Sequence, residues 1–247
     1  MTPRQSIEEF KIEFRSLLEQ DVLQLKKAVI RELDALWRSY KMQHPEADYD
    51  LFADEFLKLF KLPRNQVNEI KRELKKTQTK IAELHEQFFN TVTPGVIELK
   101  PGQYERIIAA YQVDFPGIEE TTRSSIVDEI KKASIAGYGF ETIRTNLVTK
   151  GFGTGEAYTL ANTAVSQFDN ATMFEFAAQA GLNEFKYGGV LQKDSRIFCV
   201  ELITADAVYT VQQIMAMDNK QGLPVKTSCG GYNCTHYWYV FVKKLKK

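Results

Sequence analysis

Cysteine is scarce in this chain: three in 247 residues, at positions 199, 229 and 234, all in the last fifth. So few, and odd in number, they exclude a disulfide-stapled scaffold and point to buried free thiols or a metal site in a reducing compartment. Long apolar runs are also missing. No stretch reaches the roughly 20 residues that a bilayer-spanning helix needs, so no membrane association is expected. The first residues, Met1 to Glu9, carry no apolar leader core, which predicts synthesis in the cytoplasm. Charge of one sign is lacking as well, with 32 basic against 32 acidic residues. That balance excludes the overall basic character of a dedicated nucleic-acid binder and leaves room only for a local patch.

Hydrophobic residues make up 44% of the chain and charged residues 26%, the proportions of a globular protein with a real core. The length fits one large domain or two modest ones. Apolar residues at Phe10, Phe14, Leu17, Leu18, Val22, Leu25, Val29, Leu33, Leu36, Trp37 and Tyr40 are spaced mostly by three and four. They predict an amphipathic helix running to about Met42. Ser6 with Glu9 three positions on reads as its capping box, and His44-Pro45 as its stop. A short helix carrying Phe52, Phe56 and Phe60 follows. Pro63 can open the next helix, in which Val67, Leu74, Ile81 and Phe88 recur every seven residues. Such a repeat suits a helical hairpin or coiled-coil-like arm, or a helix packed within the same globule. His44 and His85 sit at a helix end and a helix face, as ordinary surface residues. The run Lys71 to Lys76 reads as a solvated face.

Two Pro-Gly dipeptides flank Val96-Ile97-Glu98-Leu99, a short strand or extended crossing. The domain boundary is placed here: 1–95 as a helical arm or hairpin, 96–247 as a second domain. Helices are predicted near 104–111, 119–136 and 156–180, with Gly137 in a turn and Gly181 as a closing C-cap. Gly151-x-Gly153-x-Gly155 invites comparison with a phosphate loop. It lacks the Gly-Lys-Ser/Thr ending and a preceding strand, so capping of the long helix by Thr154 explains it better. Phe185-Lys186-Tyr187 and the aromatic, β-branched Tyr237–Val242 read as strands, and Val208-Tyr209-Thr210 leads into a short helix through Ile214 and Met217. The expected fold class is α+β, a long helical N-terminal half followed by a small mixed α/β C-terminal domain.

Within the C-terminal half a set of short motifs occurs in order. Gly137-Tyr138-Gly139-Phe140-Glu141-Thr142-Ile143 opens it. Ala161-Asn162-Thr163 lies on the long helix, Ala180-Gly181-Leu182 at its end, and Asp194-Ser195-Arg196-Ile197-Phe198-Cys199 after a strand. Gln221 to Val225 and Gly230-Gly231-Tyr232-Asn233-Cys234-Thr235-His236 close it. From about Ala133 to Val242 this series resembles the Mu F-like head-morphogenesis family of tailed bacteriophages. Asn162 and Thr235 stand where that pattern has arginine. The resemblance implies a non-enzymatic minor head protein, bound inside the capsid to the portal or the major capsid protein. Residues 1–95 would then be the portal- or capsid-interaction region, with the apolar stripes Phe10–Tyr40 and Val67–Phe88 as its surface. An internal protein that touches packaged DNA or is ejected with it is the alternative, and the Lys243–Lys247 run is the sequence feature that suggests it.

Cys199, Cys229, Cys234 and His236 supply three thiols and an imidazole, a full tetrahedral set for a structural zinc. The spacings are imperfect for a zinc knuckle, and the resemblance favours Cys199, Cys234 and His236 meeting while Cys229 stands outside. The alternative is a small buried thiol cluster with a hydrogen-bonded histidine. A Cys199–His236 nucleophilic pair has nothing in the sequence to orient the histidine or form an oxyanion site. Asp194 and Arg196 are expected to anchor the Cys199 turn, by a salt bridge or otherwise. The motif residues carried forward are therefore Asn162, Thr163, Asp194, Arg196, Cys199, Gly231, Asn233, Cys234 and His236.

Overall fold

The chain is α+β, with a long helical N-terminal half and a small antiparallel sheet set among further helices. A computed structural model describes residues 3–46, 48–93, 103–152 and 154–242. In order they form α1 (Pro3–Gln43), α2 (Tyr49–Leu59), α3 (Arg64–Val92), α4 (Gln103–Ala110), α5 (Phe115–Ala136), α6 (Phe140–Lys150) and α7 (Thr154–Gln179). Then come β1 (Glu184–Gly188), α8 (Ile197–Ala205), β2 (Val208–Thr210), α9 (Val211–Met215), α10 (Val225–Ser228) and β3 (Tyr237–Val240).

Local signals set most of these limits. α1 stops at Gln43, just ahead of His44-Pro45, as expected. Its start differs: the helix begins at Pro3, so Ser6 lies inside it and is not the cap. Proline's fixed φ and missing N–H suit the first helical position. Asp48 caps α2, its side chain accepting the Leu51 N–H at 2.8 Å. The Pro63 carbonyl accepts the Val67 N–H at 3.2 Å, so Pro63 opens α3. Gly137 and Gly181 take left-handed φ of 68° and 69° at helix ends, where a Cβ would be strained. At the second, the Leu182 N–H reaches back to the Ala177 carbonyl at 2.8 Å. The proposed boundary near residue 95 and the extended Val96–Leu99 lie outside the described residues, as does the Lys243–Lys247 run. α7 begins at Thr154 itself, so that residue is the first helical position and not the cap expected.

The chain divides into two compact units, each assembled from separated stretches. One comprises Ser16–Glu73 and Val113–Tyr158. In it α2 packs on α5, with Phe52, Ala53 and Phe56 buried on the first and Ile118, Ile126 and Ile130 on the second. Trp37 of α1 stacks on Phe140 with ring centroids 4.9 Å apart and planes 7° apart, and on Tyr49 at 5.0 Å. Glu119 pins the turn before α3 by accepting the Leu62 N–H at 2.9 Å and the Arg123 guanidinium at 2.8 Å.

The other unit comprises Met1–Arg15, Leu74–Gln112 and Thr159–Lys247. Its sheet has the order β2-β1-β3, antiparallel throughout. Phe185 lies opposite Tyr209 on one side and Val240 on the other, and Tyr187 lies opposite Trp238. Alternation then sends Phe185, Tyr187, Trp238 and Val240 inward. They meet Met173, Phe174 and Phe176 of α7 in one apolar cluster. Each fully buried aromatic there contributes roughly 1.5–3 kcal/mol of transfer free energy.

One expectation changes at this level. Within the expected stripes, Phe14, Leu18, Leu25, Val29 and Leu33 of α1 and Val67, Leu74 and Ile81 of α3 are buried within the chain. These stripes are mostly internal core, so they are not free to bind a portal or capsid subunit.

Candidate functional site

The last loop before β3 brings the motif residues together. α7 presents a polar edge, Thr159, Asn162, Thr163, Ser166 and Asn170, at helical spacings of three and four, and this edge holds the loop by direct hydrogen bonds. The Asn233 N–H donates to Thr163 Oγ1 at 3.1 Å, and Asn233 Nδ2 donates to Thr159 Oγ1 at 3.0 Å. Asn162 Nδ2 donates to Asn233 Oδ1 at 3.0 Å, while Asn162 Oδ1 accepts Arg15 Nε at 2.9 Å. Ser166 Oγ donates to the Cys234 carbonyl at 3.2 Å. Asn170 Oδ1 accepts the Trp238 N–H at 2.9 Å and so aligns the start of β3. Asn233 sits at φ 55°, a left-handed conformation that asparagine tolerates better than most residues. Gly231 has φ 105°, and a Cβ there would run into the Gln221 side chain.

Arg196 precedes α8, and its Nη2 donates to the Tyr232 carbonyl at 2.7 Å. It ties the start of α8 to the loop, with the loop carbonyl and not Asp194 as its acceptor. Asp194 lines the adjacent cavity. The first turn of α8 then places Cys199 beside the loop.

Cys199, Cys234 and His236 converge, their ligand atoms all within 4.8 Å of one another, and all three are buried. Cys199 Sγ lies 3.8 Å from Cys234 Sγ, and Cys234 Sγ lies 3.6 Å from His236 Nδ1. A disulfide needs about 2.05 Å between sulfurs, and all three cysteines are free thiols. Tyr187 on the inward face of β1 reaches Cys199 Sγ with its hydroxyl at 3.4 Å and stacks on the His236 ring at 5.6 Å. The Gly230 N–H donates to Cys234 Sγ at 3.2 Å. A Cβ on Gly230 would collide with Cys199 Sγ, and one on Gly189 would come within 2.7 Å of the His236 ring, so both glycines are dictated by close approach. Cys229 is buried but outside this trio, and its Sγ accepts from Asn170 Nδ2 at 3.4 Å.

The electrostatics single out Cys234. Its thiol is pushed down by the hydrogen bond from Cys199, against burial, with help from His236 and the Gly230 N–H. Cys199, as the donor of that pair, is pushed up, and burial adds to the rise. Burial raises Cys229. Two soft ligand atoms and an imidazole, one sulfur already favouring the thiolate, form a donor set suited to a zinc-like ion. A polar cavity of about 220 Å³ adjoins them, lined also by Asp194, Ser195, Arg196, Asn233 and Thr235.

A second polar cluster escapes sequence reasoning. Asp169 of α7 is fully buried and accepts four hydrogen bonds. Arg4 grips both its oxygens at 2.9 Å, Lys11 Nζ donates to Oδ2 at 2.9 Å, and His85 Nε2 to Oδ1 at 2.7 Å. Burial pushes the Asp169 carboxyl up, but Arg4, Lys11 and His85 outweigh it and hold the group well below the usual carboxylate range. Burial lowers His85, which therefore stays neutral near pH 7. The surface position expected for His85 is corrected here: its exposure is 0%, and Asp169 is the partner that admits it to the interior. Sequence did hold one signal. Lys11 occupies a stripe position in Ile7, Lys11, Phe14, Leu18, where a charge needs a buried partner. A cavity of about 480 Å³ lies against this cluster, bounded by Arg4, Ile7, His85, Met173, Tyr237 and Tyr239 among others.

Among the described residues no helix is long and apolar enough to cross a membrane. Compared with protein-family models, curated proteins and solved structures, the chain matches none.

Proposed function

We propose that this chain is a minor structural head protein of a tailed bacteriophage, acting in head morphogenesis from inside the capsid near the portal. The observation that carries the reading is the convergence of motifs that lie far apart in sequence. Thr163, Arg196 and Cys199, and Asn233, Cys234 and His236 are among the residues on which the likeness to the Mu F-like family rests, with Asn162 beside them at a position where that pattern has arginine. They meet in one constellation through direct contacts. A chance series of short motifs has no reason to close on itself in space.

In this role the C-terminal motif region is a non-catalytic module, and the partners are the portal protein, the major capsid protein, or both. With much of the α1 and α3 stripes internal, the contact surface is drawn from outward-facing residues.

The test is cryo-electron microscopy of purified heads from the phage that carries this gene, paired with mass spectrometry of the particles. Density for this chain on the inner face of the portal or shell is the expected result. Absence of the chain from the particles would overturn the reading. Loss of the chain after DNA release would favour the internal, ejected-protein alternative. Unchanged phage yield with Cys199→Ala would remove most of the case for a Cys/His-dependent enzyme.

A further inference from the structure

The geometry points to a mononuclear zinc-type site held by Cys199 Sγ, Cys234 Sγ and a ring nitrogen of His236, with the fourth coordination position open to the cavity beside Asp194 and Thr235. This inference stands on the local geometry and does not depend on a role in phage heads.

Two observations support it. The first is distance. Zinc bonds of about 2.3 Å to sulfur and 2.0–2.1 Å to nitrogen set tetrahedral edges of about 3.8 Å between sulfurs and about 3.6 Å between sulfur and nitrogen. The Cys199–Cys234 separation is 3.8 Å and the Cys234–His236 separation 3.6 Å. The two sulfurs are too far apart for a disulfide and are spaced as two corners of a metal tetrahedron.

The second is the outer layer. The Tyr187 hydroxyl is aimed at Cys199 Sγ and the Gly230 N–H at Cys234 Sγ. Donors placed on ligand sulfurs stabilise thiolates and fix their direction, the usual outer-layer role around a metal. Two buried thiolates without a cation would repel each other in a low-dielectric setting. A divalent ion cancels both charges.

Cys229 is not part of the proposed shell, because Asn170 holds its sulfur and it does not join the trio. With three protein ligands, the fourth position takes water or an added anion. Structural zinc sites are closed by four protein ligands, whereas an open position is characteristic of sites that exchange a ligand.

The full chain, purified without chelator, is assayed for zinc and then for cobalt(II) uptake after zinc removal. About one equivalent of metal per chain and an intense thiolate-to-cobalt charge-transfer band are expected. Cys199→Ser and Cys234→Ser should each abolish the band, and Cys229→Ala should keep it. Adding thiocyanate to the cobalt form should shift the spectrum as the open position fills. A wild-type protein that is folded, carries less than about a tenth of an equivalent of zinc and gives no cobalt band overturns the site. Loss of metal in Cys229→Ala overturns the three-ligand shell, and a spectrum indifferent to thiocyanate overturns the open position. Should the serine variants fail to fold, the wild-type cobalt titration alone decides.

Discussion

Arg4 and Asp169 form a two-pronged ion pair, each guanidinium nitrogen 2.9 Å from its own carboxylate oxygen, between the first turns of α1 and the middle of α7. Lys11 and His85 complete the arrangement, so one carboxylate organises three basic side chains. Asp169→Asn preserves shape and removes the charge, leaving Lys11 and Arg4 with the part-exposed Glu8 as their remaining carboxylate partner. Breaking a buried pair from one side costs about 3–5 kcal/mol. Urea unfolding of the variant against wild type measures it, and a loss below about 1 kcal/mol, the range of exposed pairs, would show that water reaches the cluster.

The same cluster predicts acid lability in two stages. The folded-state pKa of His85 is lowered, so below its unfolded value of about 6.5 the unfolded chain binds a proton that the folded one refuses. Stability from this source is complete above that pH and declines as pH falls. Asp169 is also lowered, so its contribution is complete above the unfolded value of about 3.9 and is lost at still lower pH. Melting temperature should therefore fall first through the histidine range and again in the carboxylate range. In His85→Gln the upper stage should vanish and the lower stage remain.

Glycine positions give a contrast in sign. Gly230→Ala drives a methyl into Cys199 Sγ, with Cys234 Sγ 3.1 Å away, and should cost about 1–3 kcal/mol as an overpacked site. Gly155, in the first turn of α7, has nothing within 4 Å of an added Cβ. Gly155→Ala should be neutral or stabilising, by up to about 1 kcal/mol. Thermal melts of the two variants side by side check this, and equal effects would contradict the close approach at Gly230.

Asn233 combines a left-handed backbone with side-chain bonds to Asn162 and Thr159. Asn233→Ala loses both features and should cost about 2–4 kcal/mol. Asn233→Gly keeps the backbone freedom and should cost about 1 kcal/mol less. If glycine proves no better than alanine, the backbone conformation is not what selects asparagine.

Much of the helical framework was legible because its signals are local. His44-Pro45 ends α1, Pro63 opens α3, and Gly137 and Gly181 close α5 and α7, each through the conformation of one or two residues. The trio Cys199, Cys234 and His236 was legible only through its likeness to a known pattern, since 35 residues separate the two sulfurs. The Asp169 cluster was not read, because its meaning depends on partners at positions 4, 11 and 85. Ser6 misled because its capping pattern is genuine in sequence, but a proline three residues earlier had already started the helix. The short α8 and α10 escaped because four to nine residues do not show a helical period against noise.

The unit that contains Asp169 draws its strands of sequence from both ends of the chain, with Arg4 and Asp169 separated by 165 positions. A ribosome adding roughly 5–20 residues per second leaves Arg4 and Lys11 without Asp169 for about 10–30 seconds after they emerge, with Glu8 as their local partner. The native topology thus has high contact order in this unit, and its closure must await the final β-strand, which is made last. Until then, the start of α1 carries two cations against the single carboxylate of Glu8, and that excess charge on its future inner face deters premature collapse.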